Sequence, residues 1–350
     1  MGKRILSTIL LWSLVGAVIW FFRTPGALVL VTLISVLTLR EFYRLMQAIG
    51  YRPFEKLGIF FGTLITLSPW FEAQFHWPAE PLLALATIVF SVRLLGERTP
   101  ENRVESLSST IFGLVYVALL LEYMTRIITP LPGDVLTPDG RLLIALWVIV
   151  VAKFCDMGAL LCGLAFGRHK MSPFISPKKT WEGAAGGILF SMATGAIFAH
   201  FARHQFPPHM TPLIAALCAA PIAALGIVAD LVESVIKRRA DRKDSGGTIP
   251  GIGGMFDLSD SLLLAAPAPA RTTVVVAAAA NLKAAAVELK AKGIEFVSAR
   301  FFNIQYIAPR NAGRFNQHIA GFALNRLAGK VIDYMHLLYI RREALIACSL

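Results

Sequence analysis

Eight runs of apolar residues, separated by short polar stretches, occupy most of the first 230 positions of the chain. Each is near the ~20 residues with which a helix crosses the hydrocarbon core of a bilayer, although several are short. Only 16% of all residues are charged, fewer than in an ordinary soluble domain. The sequence therefore predicts an all-α, polytopic integral membrane protein with about eight to nine transmembrane helices, rather than a globular core. The runs lie at 5–22, 27–40, 57–71, 81–96, 107–128, 142–164, 183–202 and 212–229.

The first run follows Lys3 and Arg4, and so it also has the charged start of a secretory signal peptide. No small-residue cleavage site stands clearly after it, and Thr24-Pro25 turns the chain directly into the second run. We therefore expect the first run to be retained as a membrane-spanning helix, joined to the second by a two-residue turn.

Basic residues are distributed unevenly between alternate loops. If the N-terminus lies in the cytoplasm, the loops on that side carry 18 Lys and Arg residues and the loops on the opposite side carry 4. Because short cytoplasmic loops are enriched in Lys and Arg, this distribution predicts a cytoplasmic N-terminus. It also accounts for the formal net charge of +12 without a nucleic-acid partner.

The composition divides the chain into three parts. Residues 1–130 hold the N-terminal membrane helices, and residues 131–267 form a second membrane region that carries the unusual polar residues. These concentrate in two cytoplasmic loops, at 165–183 and 230–261. Residues 268–350 form a basic tail with poor periodicity and no clear membrane-spanning run.

The first of these loops contains FGRHKMSPFISPKKTWEG. Two prolines stop a helix from continuing, and two lysines with neighbouring hydroxyls stand before the next apolar run. Such groups on a stiff loop ahead of a helix start are suited to hold phosphate. A basic loop attracted to anionic lipid headgroups is the alternative, and the residues alone leave both open. The residues concerned are Ser176, Lys178 and Lys179.

The second loop begins with a polar stripe. Five polar residues follow at helical spacing, so they share one face if the preceding helix extends into the cytosol. A solvated helix face is the simplest alternative. Asp230 argues against it, because an ionisable group at the end of an apolar span is costly without a partner. The five residues are Asp230, Ser234, Lys237, Asp241 and Asp244.

The stretch PGIGGMFDLSDS, residues 250–261, places two carboxylates where the chain enters another apolar run. Asp257 and Asp260 are three residues apart, so they share a face near the start of a helix. Helix capping explains one acid at such a position. Two acids, together with Asp230 and Asp244, favour a site for a hard cation such as Mg²⁺.

One further carboxylate, Asp156, lies inside the sixth apolar run, with Lys153 three residues before it. An ion pair within the helix accounts for both residues. A carboxylate inside a membrane span is also a candidate functional group, and the two interpretations are compatible.

The ordered residues of SVIKRRADRKDSGGTIPGIGGMFDLSDS resemble the signature of the phosphatidate cytidylyltransferases, the CDP-diacylglycerol synthases. The upstream segment SPKKTWEG, the element DMGA that begins at Asp156 and the element EFY that begins at Glu41 are similar to this family as well. The resemblance covers about residues 1–267. The signature residues that match in order and spacing are Ser234, Lys237, Arg238, Lys243, Asp244, Pro250, Gly253, Gly254, Asp257, Asp260 and Ser261.

Two positions depart from the family pattern. Ile252 stands where the family has histidine, and Leu258 stands where it has arginine. Loss of a cation beside the acids would weaken a phosphate contact or change how the acids are oriented. Because the carboxylates themselves remain, we expect an active, divergent member.

The resemblance implies a reaction in which CTP and phosphatidate give CDP-diacylglycerol and diphosphate, with Mg²⁺ or Mn²⁺ as cofactor. It implies a multi-pass protein of the inner, cytoplasmic membrane, with its active site on the cytoplasmic side. The expected partners are the two substrates, the lipid bilayer and a second copy of the chain in a homodimer.

The resemblance also implies individual roles for the matching residues. The expected metal ligands are Asp230, Asp257 and Asp260. The expected catalytic groups are Lys237, Arg238, Asp244, Asp257 and Asp260. The expected substrate-binding groups are Asp156, Ser176, Lys178, Lys179, Ser234 and Lys243.

Three other functions remain open. A CTP-dependent polyprenol or phytol kinase would use the same nucleotide and ion, with an alcohol as acceptor. A transporter could place Asp156 and Lys153 along an ion path, although the other spans hold few polar residues. An inactive scaffold would explain Ile252, Leu258 and the tail. The tail itself fits a membrane-surface appendage, a partner-binding segment or an out-of-frame product.

Overall fold

The computed structural model describes residues 2–75, 80–96, 103–130, 136–207, 210–248, 253–268, 295–299 and 304–308. Its contacts divide the chain into two units, 1–277 and 278–350. The predicted boundaries after residues 130 and 267 stay predictions. The expectations for Pro250 and Ile252 concern residues outside the described ranges.

Helices dominate the described part of the first unit, as the apolar runs predict. The helices are α1 (Gly2–Ile49), α2 (Glu55–Phe75), α3 (Glu80–Leu95), α4 (Arg103–Gly113), α5 (Leu120–Ile128), α6 (Pro138–Phe166), α7 (Trp181–Phe201), α8 (Pro212–Arg239) and α9 (Met255–Ala265). A π-helical segment, Leu114–Leu119, joins α4 directly to α5.

The structure also contains two short antiparallel hairpins, which the all-α prediction did not include. In the first unit, β1 (Lys170–Ser172) pairs with β2 (Ser176–Thr180) between α6 and α7, within the predicted loop. In the second unit, β3 (Glu295–Ala299) pairs with β4 (Ile304–Ala308). α6 has already ended at Phe166 before the two prolines of this loop, Pro173 and Pro177, and strand pairing orders the segment that contains them.

Five helical stretches among the described residues are long and apolar enough to cross a membrane. This length and composition indicate a multi-pass membrane protein. The count of eight to nine spans and the cytoplasmic N-terminus stay predictions. The stretches are Trp12–Ile49, Arg103–Ile128, Pro138–Phe166, Trp181–Phe201 and Pro212–Arg239, and a shorter apolar helix covers Pro81–Leu95.

The turn predicted between the first two runs is a kink within α1. Arg23 has φ 47° and ψ −128°, and the chain is helical on both sides of it. Pro25 therefore lies in the first turn of the second helical part, where the missing N–H removes no intrahelical hydrogen bond. Arg23 also contacts Asp139 of α6 at 3.2 Å.

A stripe of small residues on α7 brings this helix close to α6. A Cβ on Gly187 would lie 2.8 Å from the carbonyl oxygen of Cys155, so only glycine permits this approach. Ser191 Oγ donates to the carbonyl oxygen of Val151 at 2.6 Å. Small residues at four-residue spacing allow membrane helices to pack closely. The stripe consists of Gly183, Gly187, Ser191, Gly195 and Ala199.

The last apolar run does continue as a helix beyond residue 229, which confirms that part of the prediction. However, α8 ends at Arg239, and Asp241 has a positive φ of 52°. The predicted five-residue stripe is therefore wrong for Asp241 and Asp244, because α8 ends before them and Asp241 itself has a left-handed backbone conformation.

Candidate active site

Three carboxylates from two helices meet inside the bundle. Asp230 and Glu233 come from α8 and Asp260 comes from α9, and their ligand oxygens lie within 4.8 Å of one another. Glu233 is 1% exposed and Asp260 is 7% exposed, whereas Asp230 is half-buried. We call these residues the acid cluster. Carboxylate oxygens in such proximity repel one another unless cations neutralise them, and they are ligands that hard cations prefer.

Each carboxylate of the acid cluster contacts a lysine, and the three lysines come from α6, α8 and β2. These contacts offset the charge of three acids within an apolar bundle, where an unpaired charge is costly. The ammonium groups also form a set of cations next to the acids. The contacts are Lys179 Nζ to Asp230 at 2.5 Å, Lys237 Nζ to Glu233 at 3.0 Å and Lys153 Nζ to Asp260 at 3.7 Å.

Asp156 lies at the edge of this arrangement. Lys153 Nζ is 3.8 Å from its carboxylate, so the ion pair within the helix exists. The same ammonium group donates to Ser261 Oγ of α9 at 2.9 Å. Lys153 therefore connects Asp156 to the acid cluster, and the pair is part of the site rather than an isolated feature of α6.

Asp257 lies in the first turn of α9, as predicted. Its carboxylate shares Lys237 with Glu233 of the acid cluster, but its other partners belong to the loop before α9. It accepts hydrogen bonds from Lys237 Nζ at 2.7 Å, Gly254 N at 2.9 Å and Ser245 N at 3.0 Å. Burial raises the pKa of Asp257, but the hydrogen bonds that it accepts outweigh burial and lower this pKa. Asp257 thus caps α9 and holds the preceding loop, and its role as a metal ligand stays a prediction.

Glu41 of α1 holds the same loop from the other side. This residue is 3% exposed, and its carboxylate accepts from Ser245 Oγ at 2.8 Å, Phe256 N at 2.9 Å and Thr248 Oγ1. A Cβ on Gly254 would lie 2.3 Å from Glu41 Oε2, so the close approach requires glycine there. Sequence reasoning did not include Glu41 among the site residues, although a charged residue directly after an apolar run was a signal.

The structure brings together about half of the residues predicted for the site. Glu233 and Lys153 complete it, and neither was predicted as a site residue. Glu233 could have been found, because it lies three residues after Asp230 and shares its helix face. Those that meet are Asp156, Lys179, Asp230, Lys237, Asp257 and Asp260.

The other predicted residues lie around the site without a described contact to it. Four are exposed and two are half-buried, and their roles stay predictions. Leu258, which replaces the family arginine, is half-buried on α9. The exposed residues are Lys178, Arg238, Lys243 and Asp244, and the half-buried ones are Ser176 and Ser234.

These features define a helical membrane protein that holds carboxylates and lysines together inside its bundle. The sequence profile of the cytidylyltransferase family matches residues 2–275, and the chain belongs to this family. The family predicted from the signature is therefore confirmed. The match ends close to the position where the resemblance was expected to end.

Curated relatives agree with the family. The chain is 29% identical over 271 residues to the phosphatidate cytidylyltransferase of Synechocystis sp., covering 71% of this chain and 86% of the relative. With the Thermotoga maritima phosphatidate cytidylyltransferase the identity is 30% over 213 residues, covering 59% and 74%. With that of Haemophilus influenzae it is 35% over 130 residues, covering 37% and 45%. The chain spans about half the length of several of the curated relatives that it matches.

Proposed function

We propose that this protein transfers the cytidylyl group of CTP to phosphatidate, giving CDP-diacylglycerol and diphosphate. The observation that carries the proposal is the acid cluster with its three lysines, inside a chain of the cytidylyltransferase family. Acids that can hold a cation and lysines that can hold phosphate are the groups that this transfer requires.

The acid cluster fits a divalent cation. Its carboxylate oxygens lie within 4.8 Å of one another, and Glu233 Oε1 accepts no hydrogen bond from the described residues. Oxygen ligands of this kind are those that Mg²⁺ and Mn²⁺ prefer. We therefore assign the ion to Asp230, Glu233 and Asp260. When bound, it supplies positive charge that stabilises the phosphates as the bond to diphosphate breaks.

Lys153, Lys179 and Lys237 supply further positive charge for the phosphate groups. In the proposed transfer, a phosphatidate oxygen attacks the α-phosphorus of CTP, a new P–O bond forms and the bond to diphosphate breaks. Two anionic groups have to approach each other, so lysines that neutralise them lower the barrier. The phosphatidate oxygen is itself the nucleophile, and no covalent intermediate with the protein is required.

The position of the acid cluster along α8 suits a lipid and a soluble nucleotide. Asp230 lies nine residues before Arg239, the end of α8, or ~14 Å along the helix axis. The end of α8 and the β1–β2 hairpin are rich in Lys and Arg, which supports a cytoplasmic side for this end. Phosphatidate would enter from the bilayer and CTP from the cytoplasm.

The remaining assignments extend this proposal. Asp257 and Glu41 act as positioning residues for the loop before α9. We assign contacts with CTP phosphates at the mouth of the site to the exposed cations Lys178, Arg238 and Lys243. A homodimer in the inner membrane rests on the family resemblance alone.

The proposal is tested with the purified full-length protein in detergent, phosphatidate, Mg²⁺ and CTP radiolabelled at the α-phosphorus. The expected product is a labelled liponucleotide. Asp230→Asn should abolish its formation, whereas Asp139→Asn should retain it, because Asp139 is exposed and pairs with Arg23 away from the acid cluster. Transfer of label from γ-labelled CTP to a lipid alcohol would instead identify a kinase, and no labelled lipid with either substrate would overturn the proposal.

A further inference from the structure

Tyr116 lies in the π-helical segment between α4 and α5 and is 6% exposed. Its ring stacks on Phe112, with centroids 5.3 Å apart and an interplanar angle of 12°. It also meets the ring of Phe256 edge-on, with centroids 6.3 Å apart. These contacts fix the ring next to α9. Single π-helical turns occur often at functional sites, because they displace one side chain from its regular helical position.

The hydroxyl of Tyr116 is buried and has no hydrogen-bond partner among the described residues. The Tyr116 ring packs on Phe256, which lies one helical turn before Asp260 on α9, and belongs to the same core cluster as Ile236 of α8. The carboxylates of the acid cluster are therefore the charged groups closest to the hydroxyl along these two helices. Glu233 Oε1 is likewise without a partner in the described part of the chain. A buried, unpartnered donor therefore packs against the two helices that carry the acid cluster and its buried, unpartnered acceptor. Folded proteins rarely leave such groups unsatisfied, so each one requires an explanation.

Tyr43 shows that this fold can provide a hydrogen-bond acceptor for the hydroxyl of a buried tyrosine. Its side chain is fully buried, and its hydroxyl donates to the carbonyl oxygen of Thr110 at 3.1 Å. Tyr43 and Tyr116 belong to the same hydrophobic core cluster. The two residues therefore form a matched pair for comparison, because the Tyr43 hydroxyl has a protein acceptor and the Tyr116 hydroxyl has none among the described residues.

We propose that Tyr116 is a ligand-contacting residue: its hydroxyl donates a hydrogen bond to an oxygen bound to the divalent cation at the acid cluster. This oxygen belongs to water or to a phosphate of the nucleotide. The inference rests on the metal assignment in the proposed function. It adds a residue from the N-terminal membrane helices to a site otherwise built by α6, α8, α9 and β2.

The two tyrosines predict opposite effects of the same substitution on stability. Without ion or nucleotide, Tyr116→Phe removes an unpartnered buried hydroxyl, so the thermal unfolding midpoint should stay or rise. Tyr43→Phe leaves the Thr110 carbonyl without its donor, so this midpoint should fall. Both are measured on the full chain in detergent. A Tyr116→Phe protein that is destabilised as much as Tyr43→Phe would overturn the proposal.

Ion binding provides the second readout, with Mn²⁺ titrated against each protein and free Mn²⁺ followed by electron paramagnetic resonance. Tyr116→Phe should weaken binding by about three- to tenfold, the loss expected for one hydrogen bond, and Tyr43→Phe should not. Weakening with Mn²⁺ alone identifies water as the acceptor, and weakening only with Mn²⁺ and CTP identifies a phosphate oxygen. Unchanged affinity in both arms, or no Mn²⁺ binding by the wild type, overturns the proposal.

These outcomes are separable from those of the proposed function. A wild-type protein that binds Mn²⁺ with the Tyr116 dependence but forms no liponucleotide would leave the inference standing and sink the proposed reaction. If the wild type forms liponucleotide but Tyr116→Phe binds Mn²⁺ with unchanged affinity, the proposed reaction stands and the inference about Tyr116 fails.

Discussion

Two sets of carboxylates lie on α1, α8 and α9, and their oxygens have different partners. In the acid cluster, the carboxylates contact lysine side chains, and Glu233 Oε1 has no partner among the described residues. Glu41 and Asp257 accept hydrogen bonds from backbone amides and hydroxyls of the loop before α9 and of its first turn, and Asp257 in addition shares Lys237 with Glu233. A carboxylate whose acceptors are filled by its own fold stabilises the fold, whereas one with free acceptor capacity can bind an ion.

The largest effect is expected for Glu233→Gln, which keeps the size of the side chain and removes its charge. Lys237 would retain its contact with Asp257 at 2.7 Å, so no lysine is left unpaired. We expect liponucleotide formation to fall by about 10²- to 10³-fold, with little change in the thermal unfolding midpoint. Glu105→Gln on α4 is the control, because Glu105 is exposed. Wild-type activity in Glu233→Gln would show that Glu233, like Glu41, stabilises the fold and does not bind the ion. The distinction between the acid cluster and the carboxylates that hold the loop would then be lost.

Glu41→Ala is expected to act mainly on the free energy of unfolding and less on the catalysed reaction. It leaves the buried Phe256 amide without its acceptor, at a cost of about 1–3 kcal/mol, and removes one of the two carboxylates to which the Ser245 hydroxyl can donate, the other being Asp257 at 3.1 Å. The free energy of unfolding in detergent, measured by chemical denaturation, should therefore fall by about 2–4 kcal/mol. Glu41→Gln should lie between Glu41→Ala and the wild type, since its amide oxygen still accepts. Equal stability of all three proteins would contradict the holding role of Glu41.

The smallest effect is expected for Gly254→Ala, which adds a methyl group to the loop that Glu41 and Asp257 hold. A Cβ on Gly254 would lie 2.0 Å from Ser245 Oγ and 2.3 Å from Glu41 Oε2, so Gly254→Ala must displace one of them. We expect a loss of about 1–3 kcal/mol in the free energy of unfolding. Gly247→Ala is the matched control from the same loop, since nothing lies within 4 Å of its added Cβ. Equal stability of the two variants would show that the loop is not tightly held.

The helical architecture could be predicted because each apolar run is a local property. A helix satisfies its own backbone hydrogen bonds in a bilayer, so a run of sufficient length is enough to indicate it. The same local reasoning found Asp230 and Asp260, since carboxylates at the edge of apolar runs are costly without a function. It failed at Asp241 and Asp244, because α8 ends before them and Asp241 itself has a left-handed backbone conformation.

The partners of these residues could not be predicted, because they are distant in sequence. Glu41 accepts from Phe256, which lies 215 positions later, and Lys153 donates to Ser261, which lies 108 positions later. Helix periodicity specifies which residues share a face but not which face of another helix they meet. For this reason Asp257 and Asp260, similar on sequence grounds, have separate roles in the structure.

The order of residues along the chain is enough to indicate apolar helices, the cytidylyltransferase family and acids near the ends of two of those helices. Those properties follow from composition, spacing and a signature that can be read along the chain. The packing of the helices sets which acids meet one another and which of them cap a helix or hold a loop. The packing of α9 against α8, α6 and α1 sets these contacts, because hydrogen bonds and ion pairs depend on distances that local sequence does not encode.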